Sequence, residues 1–173
     1  MDSYDWSKFT LSFYYPVERE RAYESWATQA GLESFFIDKA RFGHRLDTQE
    51  SHQREATELV QSGDHYHWQW RQPFSVEGEI LSAIDYERLL FSFGAMCCDI
   101  VFRSVEGATL VHLTQSDIPD TEEGRVMGHL NCRSCWVFFM TNLASVFGSG
   151  VDLRDAAPSR VSSMEVGYVP AEL

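Results

Sequence analysis

From Lys8 to Tyr15 apolar side chains fall at every second position, so Phe9, Leu11, Phe13 and Tyr15 share one face. Period two is the mark of a half-buried strand. Pro16 ends it and suits the first turn of a following helix. Over 17–28 the spacing becomes helical, through Val17, Ala22, Tyr23, Trp26 and Ala27. Gly31 is expected to interrupt it, with a second short helix through Leu32, Phe35 and Phe36. Residues 38–45 read as a second strand. The stretch 47–62 is polar and acidic, with weak helical spacing through Ala56, Leu59 and Val60. It is expected to be a loop with a helical turn, and the most mobile part of the chain.

From Asp64 the alternation returns for some 50 residues. Tyr66, Trp68 and Trp70 alternate with His65, His67, Gln69 and Arg71, followed by runs at Val76–Tyr86, Leu89–Phe93, Cys98–Val105 and Thr109–Ser116. Turn signals separate them at Gln72-Pro73, Tyr86-Glu87-Arg88 and Glu106-Gly107. Short strands with tight connections predict an antiparallel meander. Pro119-Asp120-Thr121-Glu122-Glu123 then offers a cap and first-turn carboxylates. The helix it starts is expected to reach Phe147 and stop at Gly148 and Gly150. Its apolar face carries Leu130, Trp136, Phe139, Met140, Leu143 and Phe147, with Cys132 nearby. The predicted class is α+β: a curved antiparallel sheet wrapped around a long C-terminal helix, with two short helices after the first strand.

This order of elements resembles the helix-grip superfamily of START-related and plant-allergen-like binders, also called SRPBCC. Within it the chain is most similar to the family of homologues of the heat-shock-protein-90 ATPase activator. The stretches that carry the resemblance are Phe13-Tyr14-Tyr15-Pro16-Val17-Glu18-Arg19 with Ala22-Tyr23-Glu24-Ser25-Trp26, and Val76-Glu77-Gly78-Glu79-Ile80 with Leu89-Leu90-Phe91-Ser92-Phe93. Thr109–Ser116, Cys135-Trp136, Asn142-Leu143 and Gly150-Val151-Asp152-Leu153-Arg154 complete it. Two departures stand out: Cys135 replaces the glycine that usually precedes the helix tryptophan, and 47–62 reads as an acidic insertion. The resemblance implies one helix-grip domain over 1–173, with 151–173 as a C-terminal tail. It also implies a cavity between sheet and helix, and no particular reaction.

Composition narrows the function. The 173 residues are 44% hydrophobic and 14% aromatic, enough for a core and for an aromatic-walled pocket. A formal charge of −12 argues against nucleic acid and against anionic membrane surfaces. No apolar run approaches the roughly 20 residues that span a bilayer. The acidic start Met1–Asp5 lacks the pattern of a secretory signal, so a cytoplasmic protein with four free thiols is expected.

The candidate ligand-binding residues are Phe36, Tyr66, Trp68 and Trp70 with Phe91, Phe93, Ile100, Phe102 and Leu113 as the wall, closed from the helix by Trp136 and Met140. Each could equally be core. His65 and His67 share a strand face but face away from the aromatics. His129, Cys132 and Cys135 recur along the last helix, where Cys97 or Cys98 could join them. That is the best metal arrangement present, yet zinc cysteines usually sit on a knuckle and redox pairs at a helix N-terminus, so buried thiols are the simpler reading. His112 reads as an exposed strand residue, Glu77 and Glu79 as solvated, and Arg154 as a structural partner of a carboxylate. No catalytic residue, cofactor or metal is assigned. The expected partner is a small hydrophobic or amphipathic molecule. A protein-interaction module related to chaperone ATPase activators, and a cyclase- or hydrolase-like enzyme, stay open, as does a homodimer through the sheet edges.

Overall fold

The alternating stretches form one antiparallel sheet because each buries a single aromatic or β-branched face. The computed structural model describes residues 4–44, 52–70, 74–157, 160 and 162–166. Its strands are β1 (Phe9–Tyr15), β2 (Lys39–His44), β3 (His52–Gln53), β4 (His65–Gln69), β5 (Ser75–Ile84), β6 (Arg88–Phe93), β7 (Met96–Val105) and β8 (Ala108–Ser116). They lie in the order β1-β8-β7-β6-β5-β4-β2-β3. Two short helices, α1 (Arg19–Ala27) and α2 (Gln29–Phe35), follow β1. A π-helical segment, Gly124–Asn131, runs into the long helix α3 (Cys132–Ser149), and a short α4 (Ser163–Val166) follows. The curved sheet grips the long helix, as the pattern predicts.

Register aligns the buried positions into rows. Phe9 pairs with Gln115, Gln115 with Cys98, Cys98 with Phe91, and Phe91 with Ile80. Leu11, Leu113, Ile100 and Leu89 form the next row. Trp136, Phe139, Met140 and Leu143 of α3 are buried against this face. The Tyr15 hydroxyl donates to the Met140 carbonyl at 2.9 Å.

Gln115 is the buried polar centre of that interface. Its Oε1 accepts from the Trp136 indole Nε1 at 2.8 Å, and its Nε2 donates to the Gly128 carbonyl at 3.0 Å. Gly128 lies in the π-helical segment. There the Cys132 N–H reaches the carbonyls of Met127 and His129. π-helical turns depart from the regular helical ladder, and the glutamine amide on β8 donates to the Gly128 carbonyl within them.

Local details differ from the sequence expectations. Gly31 does not interrupt a helix; it lies inside α2, and a Cβ there would stand 2.3 Å from the Glu24 carbonyl oxygen of α1. The helices part at Thr28, whose extended backbone (φ −133°, ψ 154°) and side-chain oxygen cap α2. Pro16 sits in the bend before α1, which starts at Arg19. Thr121 caps the long helix through its hydroxyl to Gly124 N–H at 3.0 Å. Leu130 is 51% exposed and not on the buried face, because the π-helical turns rotate it outward. Gly148 remains helical, and only Gly150 (φ 71°) makes the left-handed stop.

Of the acidic stretch 47–62, residues 47–51 lie outside the described residues, as do the turn signal Gln72-Pro73 and the end of the tail. The rest of the stretch is anchored: Arg54 pairs with Asp64 and Glu58, and buried Val60 donates its N–H to Ala27 at 2.9 Å. The chain after α3 is also tied down. Asn142 donates to the Phe35 carbonyl and to Asp152, and accepts from Leu153 N–H. Arg154 donates to the carbonyls of Glu33 and Ile37, so two side chains satisfy the open C-terminal end of α2. Among the described residues, no helix is long and apolar enough to cross a membrane.

Replacing Gln115 by methionine keeps the volume but strands the Trp136 N–H and the Gly128 carbonyl. The expected loss is about 2–4 kcal/mol by chemical denaturation; a loss below ~1 kcal/mol would show that the amide is not needed. The second expectation concerns Asp152. Burial alone would raise its carboxyl, but hydrogen bonds from Arg154 and Asn142 outweigh that and hold it below the ordinary value. A carboxyl lowered in the folded state contributes stability above its unfolded value near ~3.9, and loses it as pH falls through the lower folded value. The Arg154 amide, bonded to Asp152, should therefore lose protection in NMR exchange only below about pH 4, and Asp152→Asn should remove that pH dependence.

Candidate functional site

At one end of the sheet, where strand ends and the start of α3 converge, lies a cavity of about 330 Å³. Each contributor is placed by its element. Phe36 is the C-cap of α2, with its N–H bonded to Leu32 O at 2.9 Å. The Trp70 N–H donates to the Phe74 carbonyl at 2.9 Å, which draws Trp70, Phe74 and Ser75 to the rim. Phe93 closes β6. Asn131, Cys132, Cys135, Trp136 and Phe139 come from one side of the long helix, and Glu165 from α4.

Phe36 is the centre of the aromatic wall. Its ring stacks on Trp136 at 4.9 Å and meets Phe139 at 4.8 Å and Trp70 at 5.2 Å edge-on. Phe93 lies 6.3 Å from Trp70 and 5.8 Å from Trp136. These separations are those of mutually favourable aromatic pairs. The Gln115 bond to the Trp136 indole fixes that ring from behind.

The polar groups are few. Burial pushes the Cys135 thiol up to about 12, helped by neighbouring Cys132. Burial raises Cys132 as well, against a hydrogen bond with Gln115 that lowers it. Cys98, deeper in the core, is raised well above its ordinary value by burial. These thiols are protonated at neutral pH and are poor nucleophiles and poor metal ligands. The Glu165 carboxylate is buried and accepts the Asp155 N–H at 2.6 Å.

Of the residues singled out in the sequence, Phe36, Trp70, Phe93 and Trp136 line this cavity. Tyr66, Trp68, Phe91, Ile100, Phe102, Leu113 and Met140 are instead packed in the main core. Tyr66 stacks on Trp68 at 4.0 Å and donates to the Ser92 carbonyl. Sequence reasoning missed Phe74, Ser75, Asn131, Phe139 and Glu165 as lining residues, and considered Cys132 and Cys135 only for metal. The helical spacing of Cys132, Cys135, Trp136 and Phe139 was the available signal.

His129 points elsewhere. It is buried, with Nδ1 3.1 Å from the Trp6 carbonyl and Nε2 2.9 Å from the Tyr4 hydroxyl. A carbonyl only accepts, so Nδ1 carries the proton and Tyr4 donates to Nε2. Rings of Tyr4, Trp6 and Phe9 surround it at 5.1–5.3 Å. His112 bonds Ser12 at 2.7 Å on an exposed part of the sheet, and His65 is exposed. Among the described residues, no three His, Cys, Asp or Glu side chains gather as a metal site.

Comparison with known proteins supplies the family. None of the curated proteins matches the chain. A solved protein of Staphylococcus saprophyticus is similar with a TM-score of 0.67 at 20% identity, over 86% of this chain and 97% of that one. The Aha1 dimer from Colwellia psychrerythraea gives 0.64 at 14% identity, over 83% and 97%. An HSP90 activator from Plasmodium falciparum gives 0.57 at 17% identity, over 82% and 96%. At such identities the likeness is one of fold. The family model described as "Activator of Hsp90 ATPase homolog 1-like protein" matches residues 16–148. By that match over most of its length, the chain belongs to the Activator of Hsp90 ATPase homolog 1-like family.

Proposed function

We propose that the protein binds a small apolar molecule in the cavity bounded by Phe36, Trp70, Phe93 and Trp136. The observation that carries this reading is the aromatic enclosure. Six rings, those four with Phe74 and Phe139, bound a space of about 330 Å³, which is within the range of small-molecule sites. Phe74 is 40% exposed and gives the cavity an open side. The protonated thiols support binding over thiol chemistry. They offer soft, weakly polar surface and little reactivity.

A protein contact is the second reading. Val126, Met127, Leu130 and Val137 are exposed along the π-helical segment and α3, and one neighbour in fold is an HSP90 activator. Exposed apolar patches of this kind favour association. Leu130→Asp should then abolish retention on immobilised Hsp90 while leaving the cavity unaffected. Absence of retention of the unaltered protein removes this reading.

For the cavity, titration with the uncharged fluorophore N-phenylnaphthylamine should show saturable one-to-one binding. Trp70→Ala should weaken it about tenfold, a loss of ~1.4 kcal/mol, because half-buried Trp70 walls the cavity without belonging to the deepest core. Unsaturable, variant-independent fluorescence would refute the site. Thiol labelling gives an independent check. With its thiol near 12, Cys135 should alkylate at pH 8 on the order of a thousandfold more slowly than free cysteine. Bound fluorophore should slow Cys132 and Cys135 further and leave Cys97 unchanged.

A further inference from the structure

We propose that the outer edge of β1 is a docking strand for the C-terminal end of a partner polypeptide, which adds antiparallel to β1 and sets its terminal carboxylate against Arg133. This surface is separate from the aromatic cavity. Among the described residues the sheet ends on β1 at one side and on β3 at the other. β3 is two residues long. Shortness of that kind protects an edge from further pairing, as do charges, prolines and bulges. β1 has none of these devices. Its seven residues carry no charge and no proline, and they pair with β8 in unbroken register, from Phe9 opposite Gln115 to Tyr15 opposite Thr109. Pairing on one side leaves alternate backbone N–H and C=O groups directed outward. Such an edge accepts an extended peptide as an added strand.

The preference for a chain terminus comes from the start of β1. Lys8, Phe9 and Thr10 line, with Arg133 of α3, a second cavity of about 320 Å³ that Tyr4 and Asp5 complete. Arg133 is exposed and has no carboxylate partner among the described residues. Asp5 is already engaged: it accepts the Ser7 N–H at 3.0 Å and the Ser7 hydroxyl at 2.5 Å, and lies 3.7 Å from the Lys8 Nζ. An antiparallel peptide brings its C-terminal carboxylate to this end of β1, whereas a parallel one would bring its ammonium group to Arg133. Charge therefore selects the direction. The last side chain would lie beside Tyr4 and Phe9, so an apolar one fits. Val137, a turn beyond Arg133 and 44% exposed, and Tyr14, 58% exposed, offer apolar contacts to the residues before it. A second copy of the chain is a poorer occupant. Seven residues a side fall short of the roughly 20–30 a side of a stable interface, and each copy carries a formal charge of −12.

Fluorescence anisotropy on the full chain tests this with labelled hexapeptides. The probes alternate threonine and valine and end in leucine, valine or phenylalanine, each as the free acid and as the C-terminal amide. At least one free acid should bind saturably, and about tenfold more tightly than its amide. Arg133→Gln should bring the acid down to the affinity of the amide and leave the amide unchanged. N-methylation of alternate peptide nitrogens should abolish binding in one phase and be tolerated in the other, as expected of a strand paired along one edge. NMR shifts should follow β1 and Arg133 and spare the aromatic cavity. No binding by any probe, equal binding of acid and amide, or an acid preference that survives Arg133→Gln would overturn the inference. Equal sensitivity to both methylation phases would do the same. If sedimentation shows a dimer that the peptides do not dissociate, a second copy holds the edge and the inference falls. The fluorophore titration judges the aromatic cavity separately.

Discussion

The buried amide of Gln115 ties the sheet to the long helix of this protein. Gln115 stands on β8 in the row Phe9–Gln115–Cys98–Phe91, among apolar side chains with no access to solvent. An unsatisfied amide there would be strongly unfavourable, so its position is set by its partners. Trp136 and the Gly128 carbonyl are those partners, and they lie either side of the change from π-helical to α-helical turns. The bond therefore registers helix against sheet and fixes which residues of the helix face the core and which face the cavity. Directional bonds of this kind select one arrangement where apolar packing alone would tolerate several.

The same logic governs the other end of the long helix. Asn142 and Arg154 take up the carbonyls at the end of α2, which positions Phe36, the central ring of the cavity. The aromatic wall is thus held from two directions: Trp136 through the sheet, and Phe36 through the chain that follows α3. Glu165 belongs to that following chain, so the segment expected to be a tail contributes to the lining of the cavity.

Strand pattern was legible because alternation reports burial directly: β1, β4 and β8 stand where the runs Phe9–Tyr15, Tyr66–Trp70 and Thr109–Ser116 place them to within a residue. The long helix was legible from its cap and its apolar stripe. Its π-helical start was not, since a ladder shifted by one residue has no fixed residue signature, and a uniform 3.6-residue spacing put Leu130 inside. The cavity was half legible. Tyr66, Trp68, Phe91 and Phe102 carry the same pattern as Trp70 and Phe93, but the middle of a strand is covered by the helix while its end is not. Periodicity assigns a face; it does not say how far along that face the packing runs. Phe74 and Glu165 come from segments with no period at all. Gly31 misled for a related reason: a glycine required by the close approach of two helices looks, in one dimension, like a break.

The pairing of β1 with β8 sets the order in which the molecule can form. Ser12 lies opposite His112, a hundred residues further along the chain, so no local hairpin can complete the sheet. At the usual pace of synthesis, β1 would wait on the order of 5–20 s for its partner to emerge from the ribosome. During that time Phe9, Phe13 and Tyr15 have no sheet neighbour to cover them. Closure of so long a loop is slow, and vectorial synthesis places the sheet's edge strand first and the helix it must grip last.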